Sequence, residues 1–359
     1  MSALAAEALL DQPVLQPAEV VELEQLLALT LRTSGSLVLC QAEAVTLLEA
    51  AASSVAGPGN RVLNVVTGPY GSLFGGWLRR TGAEVFDLVV GHQGLSETSF
   101  REALLGMDTA ALTQAEAATG ANLDLVGLVG VARDVGVLTV VDAVAAIGAE
   151  PIAVDDWGID VAVIGGQKAL AGPAGVSAAA VSERAWRRIE DNPAAPRWSA
   201  LSLLDWADGW LRTDRSRIPG TPSVLETRAL LAALRRVQTE GIDAVERRHR
   251  QARAATVAAV RALGLHPWAA QGRRAAVCTT VALPDPVPVG LPGVLQPGEL
   301  LAPGDGPLAG ELFRVNHFGR AADLDAVLGG VDRLAEVLGV PANGAAARQA
   351  AMEAWEETA

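Results

Sequence analysis

Residues 137–175 read VLTVVDAVAAIGAEPIAVDDWGIDVAVIGGQKALAGPAG, and this stretch decides the fold. Two short apolar runs, VLTVVD (137–142) and DVAVIG (160–165), are continuous rather than alternating, as strands covered on both faces are. Asp142 closes the first run, and the glycine-rich turn GGQK carries Lys168 just past the second. Outward from there, SLVLC (36–40), RVLNVV (61–66), AEVFDLVV (83–90), TAALT (109–113) and VSAAAV (176–181) read as further strands. Helical spacing of apolar residues over 17–32, 44–56, 71–81 and 123–135 alternates with them. The pattern predicts an α/β fold whose large domain is a mostly parallel seven-stranded sheet sandwiched by helices.

Long helical patterns follow at 222–240 and 242–263. VCTTVAL (277–283) and ELFRVNHF (311–318) then read as strands bracketing a Pro/Gly-rich segment, and a helix near 321–338 completes a smaller C-terminal α+β domain. The expected division is 1–240 for the large domain with a short N-terminal helix, 241–340 for the small domain, and 341–359 for an alanine-rich tail, helical or partly disordered. No internal repeat is present.

The chain has 359 residues, half of them hydrophobic and 19% charged, with a mean hydropathy of +0.28. Such a composition excludes disorder for most of its length. A net charge of −13 and a pI near 4.8 repel nucleic-acid phosphates and anionic membrane surfaces, so neither partner is expected. Cys40, Cys278 and the four histidines His92, His249, His266 and His317 have no metal-ligand spacing. Free thiols in a reducing cytoplasm and no metal site are the expectation. The opening MSALAAEALLDQ carries Glu7 and Asp11 without a basic segment and does not read as a signal peptide. No apolar run reaches the roughly 18 residues of a membrane span.

Among 28 basic residues Lys168 is the one lysine, and Tyr70 is the one tyrosine. Retaining a single lysine points to a place where arginine cannot serve, because only a lysine amine deprotonates readily enough to act as a nucleophile. In an α/β sheet ligands bind outside the carboxyl ends of the strands, where both Lys168 and Asp142 fall. An amine and a carboxylate held there suit a pyridoxal-type ring, the lysine forming the Schiff base and the aspartate holding the ring nitrogen protonated. The alternative is a surface lysine and a helix-capping aspartate.

The same stretch resembles the cofactor region of the class V aminotransferases of fold type I. LTQAEAATG resembles the class's THxExSTG segment, keeping Thr113, Glu116, Thr119 and Gly120, and FRVNHFG resembles its RIGHMG motif, whose arginine corresponds to Arg314. The resemblance runs from about Leu37 to Leu338. It implies Lys168 as Schiff-base lysine and proton shuttle, Asp142 on the ring nitrogen, and Tyr70 stacked on the ring. It further implies Arg314 gripping the substrate carboxylate, Thr119, Val144 and Gln167 around the ring, and Thr221 reaching the site of a neighbouring subunit. A homodimer or homotetramer follows from that last role.

Where the class usually holds the 5′-phosphate with a glycine- and hydroxyl-containing turn, this chain has Glu43-Ala44-Val45. Two like charges 4 Å apart repel by about 4 kcal/mol at an effective dielectric of 20. A phosphate is therefore disfavoured, and Glu43 is expected to accept a hydrogen bond from a free 5′-hydroxyl. This resembles the branch of the class that moves an amino group between unphosphorylated pyridoxamine and a small 2-oxo acid such as pyruvate. Pyridoxamine and pyridoxal are then substrates, and no tightly bound pyridoxal 5′-phosphate is expected. Where that branch has a second arginine, GDGPLAG carries Asp305, and the histidines of its HHDTPSG-like segment are absent. The alternatives are a conventional pyridoxal-phosphate aminotransferase of the alanine/serine–glyoxylate type and a catalytically idle pyridoxal-binding relative.

Overall fold

The structure is a computed structural model and describes residues 14–91, 93–296 and 299–358. The readings made at residues 1–12 and at His92 lie outside them. In chain order the elements of the large unit begin with α1 (Pro17–Leu31), β1 (Ser36–Cys40), α2 (Ala44–Val55), β2 (Arg61–Val66), α3 (Pro69–Arg80), β3 (Glu84–Val89) and α4 (Glu97–Ala103). They continue with β4 (Thr109–Thr113), a small hairpin of β5 (Ala115–Glu116) and β6 (Ala121–Asn122), α5 (Leu125–Asp134), β7 (Leu138–Asp142), α6 (Val154–Trp157), β8 (Val161–Gly165), β9 (Ser177–Val181), α7 (Glu183–Glu190) and α8 (Leu203–Trp206).

Seven strands form one sheet in the order β1-β9-β8-β7-β4-β2-β3. β9 pairs antiparallel with both β1 and β8, and every other pairing is parallel. Along β1, β4 and β8 the apolar residues alternate between two clusters. Leu37 and Leu39, Ala110 and Leu112, Ala162 and Ile164 feed one, while Val38, Ala111, Val161 and Val163 feed the other. Both faces are covered by helices, which is why these strands read as unbroken apolar runs. β3 differs: as an edge strand it leaves Val89 75% exposed.

After the long helices α9 (Val224–Glu240) and α10 (Ile242–Ala262) the chain builds a three-stranded antiparallel sheet. Its strands are β10 (Thr279–Ala282), β11 (Leu301–Pro303) and β12 (Leu312–Val315), with β12 in the centre and the short α11 (Leu291–Val294) in the connection before β11. Helices α12 (Leu324–Val337) and α13 (Pro341–Glu357) complete it, and Ala347 and Ala351 of α13 are buried in the same apolar cluster as Phe313 and Val331. Two boundaries differ from expectation for physical reasons. α3 begins at Pro69 rather than at residue 71, because proline pre-sets the first helical φ and its missing N–H is not needed there. β11 lies inside the Pro/Gly-rich segment, where three residues pair with β12 without leaving any periodic signal.

At the amino-terminal end of the sheet Asp160 is a buried tie. Its carboxylate accepts from the Thr139 N–H at 2.9 Å, the Ser182 hydroxyl at 3.1 Å and Arg184 Nε at 2.8 Å, joining the starts of β7 and β8 to α7. Removing Asp160 leaves the buried Thr139 N–H unsatisfied, at a cost of about 1–3 kcal/mol, while the partly exposed Arg184 can turn to solvent. Asp160→Ala is expected to lower unfolding stability by that order in urea titrations, and an unchanged midpoint would show that the tie contributes nothing.

Candidate active site

The carboxyl ends of β7 and β8 face one cavity, lined by Glu43, Tyr70, Asp142, Val144, Gln167 and Lys168 among others. Asp142 ends β7, 6% exposed, and its Oδ1 accepts from the Val144 N–H at 3.0 Å. Burial pushes its carboxyl up to about 6, partly offset by the charge of Lys168. Lys168 follows β8 in a tight turn closed by the Gly172 N–H on the Gly166 carbonyl at 2.7 Å. A Cβ on Gly166 would lie 2.9 Å from the Pro173 carbonyl, so the turn requires glycine there. The Lys168 amine stands 5.5 Å from the centroid of the Phe318 ring, on the segment after β12.

Tyr70 is the second residue of α3, which starts at the carboxyl end of β2. Its helix is anchored by Glu116, a fully buried carboxylate that accepts from the Gly71 N–H at 3.3 Å and the Ala118 N–H at 3.4 Å. Any side chain at Gly68 would collide with Glu116, since a Cβ would fall 2.5 Å from its Cγ. Burial, reinforced by Asp142, pushes the Glu116 carboxyl up to about 7. The sequence motif flagged Glu116 as a match, but its work as the clamp on Tyr70's helix emerges only from the fold. The Tyr70 hydroxyl is itself pushed up by burial and then by the charge of Asp305.

Glu43 sits at the N-cap position of α2 yet does not cap that helix. Its Oε1 accepts instead from Gln167 Nε2 at 3.0 Å. The other amide atom, Gln167 Oε1, is buried with no hydrogen-bond partner in the chain.

Three expected site residues lie elsewhere or are otherwise engaged. Thr119 lines a neighbouring depression with Thr67 and Trp268, and its hydroxyl donates to the Thr67 carbonyl at 3.1 Å. Thr221 lies in a surface depression beside Leu15 and Ile218, apart from the cavity in the single chain. Arg314, central in β12 and 9% exposed, is already gripped: Nη1 and Nη2 donate to the two carboxylate oxygens of Asp305 at 2.6 and 3.2 Å. The expected free carboxylate fork is thus filled from within the chain. Among the described residues no group of three His, Cys, Asp or Glu could hold a metal ion, and no helix is long and apolar enough to cross a membrane.

Comparison with known proteins bears on the family and the fold. The family model "Aminotransferase class-V" matches residues 43–286. A pyridoxamine–pyruvate transaminase of Mesorhizobium japonicum is 33% identical over 302 residues, 81% of this chain and 76% of the relative. The crystal structure of pyridoxamine–pyruvate aminotransferase from Mesorhizobium loti superposes with a TM-score of 0.89 at 27% identity, over 100% of this chain and 95% of that one. Ureidoglycine–glyoxylate aminotransferase from Bacillus subtilis gives 0.82 at 26% identity, over 98% and 95%. A match that spans most of the chain, on a fold that superposes nearly end to end with solved transaminases, means that this protein belongs to the class-V aminotransferases, a family of pyridoxal-phosphate enzymes.

Proposed function

We propose that this transaminase moves an amino group between unphosphorylated pyridoxamine and a small 2-oxo acid such as pyruvate, giving pyridoxal and the amino acid. The observation that carries the reading is the Glu43–Gln167 pair. Glu43 brings negative charge to the cavity wall, and its carboxylate keeps acceptor capacity beyond the one bond it receives from Gln167 Nε2. That end of the cavity asks for a hydrogen-bond donor. A hydroxymethyl group offers one, whereas a phosphate offers acceptors and like charge. The residues present therefore fit the pyridoxal ring and fit the unphosphorylated side chain better than the phosphate.

When bound, the protonated ring withdraws electrons from the carbon that carries the amino group. Asp142 would hold the ring-nitrogen proton, which its burial at a strand end and its open lone pairs allow. Lys168 would hold the aldehyde form through its amine, with water leaving as that bond forms, and as the free amine would move the proton between the aldehyde carbon and Cα of the amino acid. Tyr70 would stack on the ring, with about 0.5–1.5 kcal/mol beyond burial, and Val144 would cover it; both line the cavity. Arg314 would receive the acceptor carboxylate. Thr221 and the exposed side of Glu43 remain at the surface of the single chain, which suits a homodimer or homotetramer in which Thr221 completes the neighbour's site. Unpaired Cys40 and Cys278 suit a cytoplasmic protein.

A second reading is a conventional pyridoxal-phosphate aminotransferase of the glyoxylate type. It is favoured by the N-terminus of α2, whose first residues Ala44 and Val45 line the cavity and would present amides to an anion. Borohydride reduction in an equimolar mixture of pyridoxal and pyridoxal 5′-phosphate separates the two. The Lys168 peptide is expected to carry mainly the mass of pyridoxal, and predominance of the phosphate adduct supports the second reading. Glu43→Gly is expected to reverse the preference towards the phosphate and to lower kcat/KM for pyridoxamine about tenfold or more.

The pH dependence has a definite sign. With the Asp142 carboxyl near 6, its charged form, which holds the ring proton, is present above that value and lost as pH falls through it. The acid limb of kcat/KM for pyridoxamine should accordingly lie near 6. In Asp142→Asn that limb should vanish, with activity lower by about 10²-fold or more.

A further inference from the structure

Arg314 is satisfied before any substrate arrives. A guanidinium presents five N–H groups in one plane. Nε donates to the Pro303 carbonyl at 3.2 Å, and Asp305 takes one N–H from each terminal nitrogen. The two N–H groups left over point to opposite edges of the plane and offer a second carboxylate no fork. The pair has no net charge, so it also lacks the long-range attraction that a bare arginine holds for an anion.

Asp305 is built to stay in this position and also to leave it. Its backbone is pinned: the Gly304 N–H donates to the Leu312 carbonyl at 3.0 Å and the Leu308 N–H to the Asp305 carbonyl at 3.0 Å. Gly304 admits no side chain, since a Cβ would lie 2.3 Å from the Leu308 carbonyl. The Asp305 side chain is one-third exposed, and Arg314 is its one hydrogen-bond partner among the described residues. Exchange therefore needs only a side-chain rotation into solvent, a fast motion that leaves the loop folded. Asp305 also lies close enough to the cavity for its charge to act on the Tyr70 hydroxyl.

We propose that Asp305 is a specificity-determining residue that occupies Arg314 as an internal carboxylate, so that a 2-oxo acid binds only by displacing it. This rests on the reading above that Arg314 receives the acceptor. While pyridoxamine, which has no carboxylate, occupies the site, the closed pair spares Arg314 the cost of being buried unpaired. The open pair suits the 2-oxo acid. The consequence is weak selection for acceptors that carry a carboxylate, because each must first break the internal pair.

The test compares the wild type with Asp305→Asn, Asp305→Ala and the double variant Asp305→Asn/Arg314→Gln, each checked for folding by thermal melting. Binding of propionate, a non-reacting monocarboxylate, is followed by calorimetry, and turnover is measured with pyruvate and with propanal, which has no carboxylate. Both single variants should bind propionate about tenfold more tightly. In them the KM for pyruvate should fall by a similar factor, with KM for pyridoxamine and kcat/KM for propanal unchanged, and the double variant should lose the gain. Propionate binding that is unchanged or weaker in both single variants overturns the proposal and makes Asp305 an anchor that positions Arg314. If propionate binding follows the expected pattern while no protein turns over pyridoxamine, the reaction assignment fails and the role of Asp305 stands.

Discussion

A parallel sheet covered by helices on both faces leaves the strand ends as the place for polar chemistry. Most side chains within the central strands of this sheet are apolar and belong to one or the other buried cluster. At roughly 1.5–3 kcal/mol for each fully buried aliphatic side chain, those positions are closed to charge. Asp142 and Lys168 appear where the strands stop and the backbone turns. Because β7 and β8 are adjacent and parallel, with Asp142 opposite Val163, their carboxyl ends deliver both groups to one cavity.

The two ends of the sheet show the same side chain serving opposite purposes. Asp160, at the amino-terminal end, has its oxygens filled by backbone, hydroxyl and guanidinium donors and acts as a tie. Asp142, at the carboxyl end, receives one backbone N–H and keeps the rest of its capacity turned to the cavity. Glu116 stands between these cases, since its acceptors are spent on the amides that start α3. It contributes to the site by fixing the helix on which Tyr70 rides. Arg314 and Asp305 extend the pattern into the small domain, where a nearly buried guanidinium is paired with a carboxylate from the loop before β12.

Much of this was legible in the residues. Most strands of the large sheet are readable as unbroken apolar runs because both their faces are buried, whereas the edge strand β3 is half exposed and mixes Glu84 and Asp87 with its apolar residues; the lone lysine points to the cavity. β11 leaves no signal in the sequence because its pairing is supplied by β12 rather than by its own periodicity, and α3 starts two residues ahead of its apolar repeat because proline at N1 lies outside that repeat. Glu43, Tyr70, Asp142, Val144, Gln167 and Lys168 meet at one cavity. Thr119 was read from its motif but faces the next depression, and Thr221 stays on the surface, since a motif records order along the chain and not the direction of a side chain.

The sequence by itself determined the layers, the strand ends that carry Lys168 and Asp142, and the negative charge that Glu43 brings to the start of α2, because hydrophobic burial and side-chain charge are local properties of each residue. Only the tertiary structure decided that Gln167 turns its amide to Glu43, that Glu116 clamps the helix of Tyr70, and that Asp305 fills the fork of Arg314. Those are pairings between residues on different elements. Their energies depend on distance and burial, which exist only once the chain has folded.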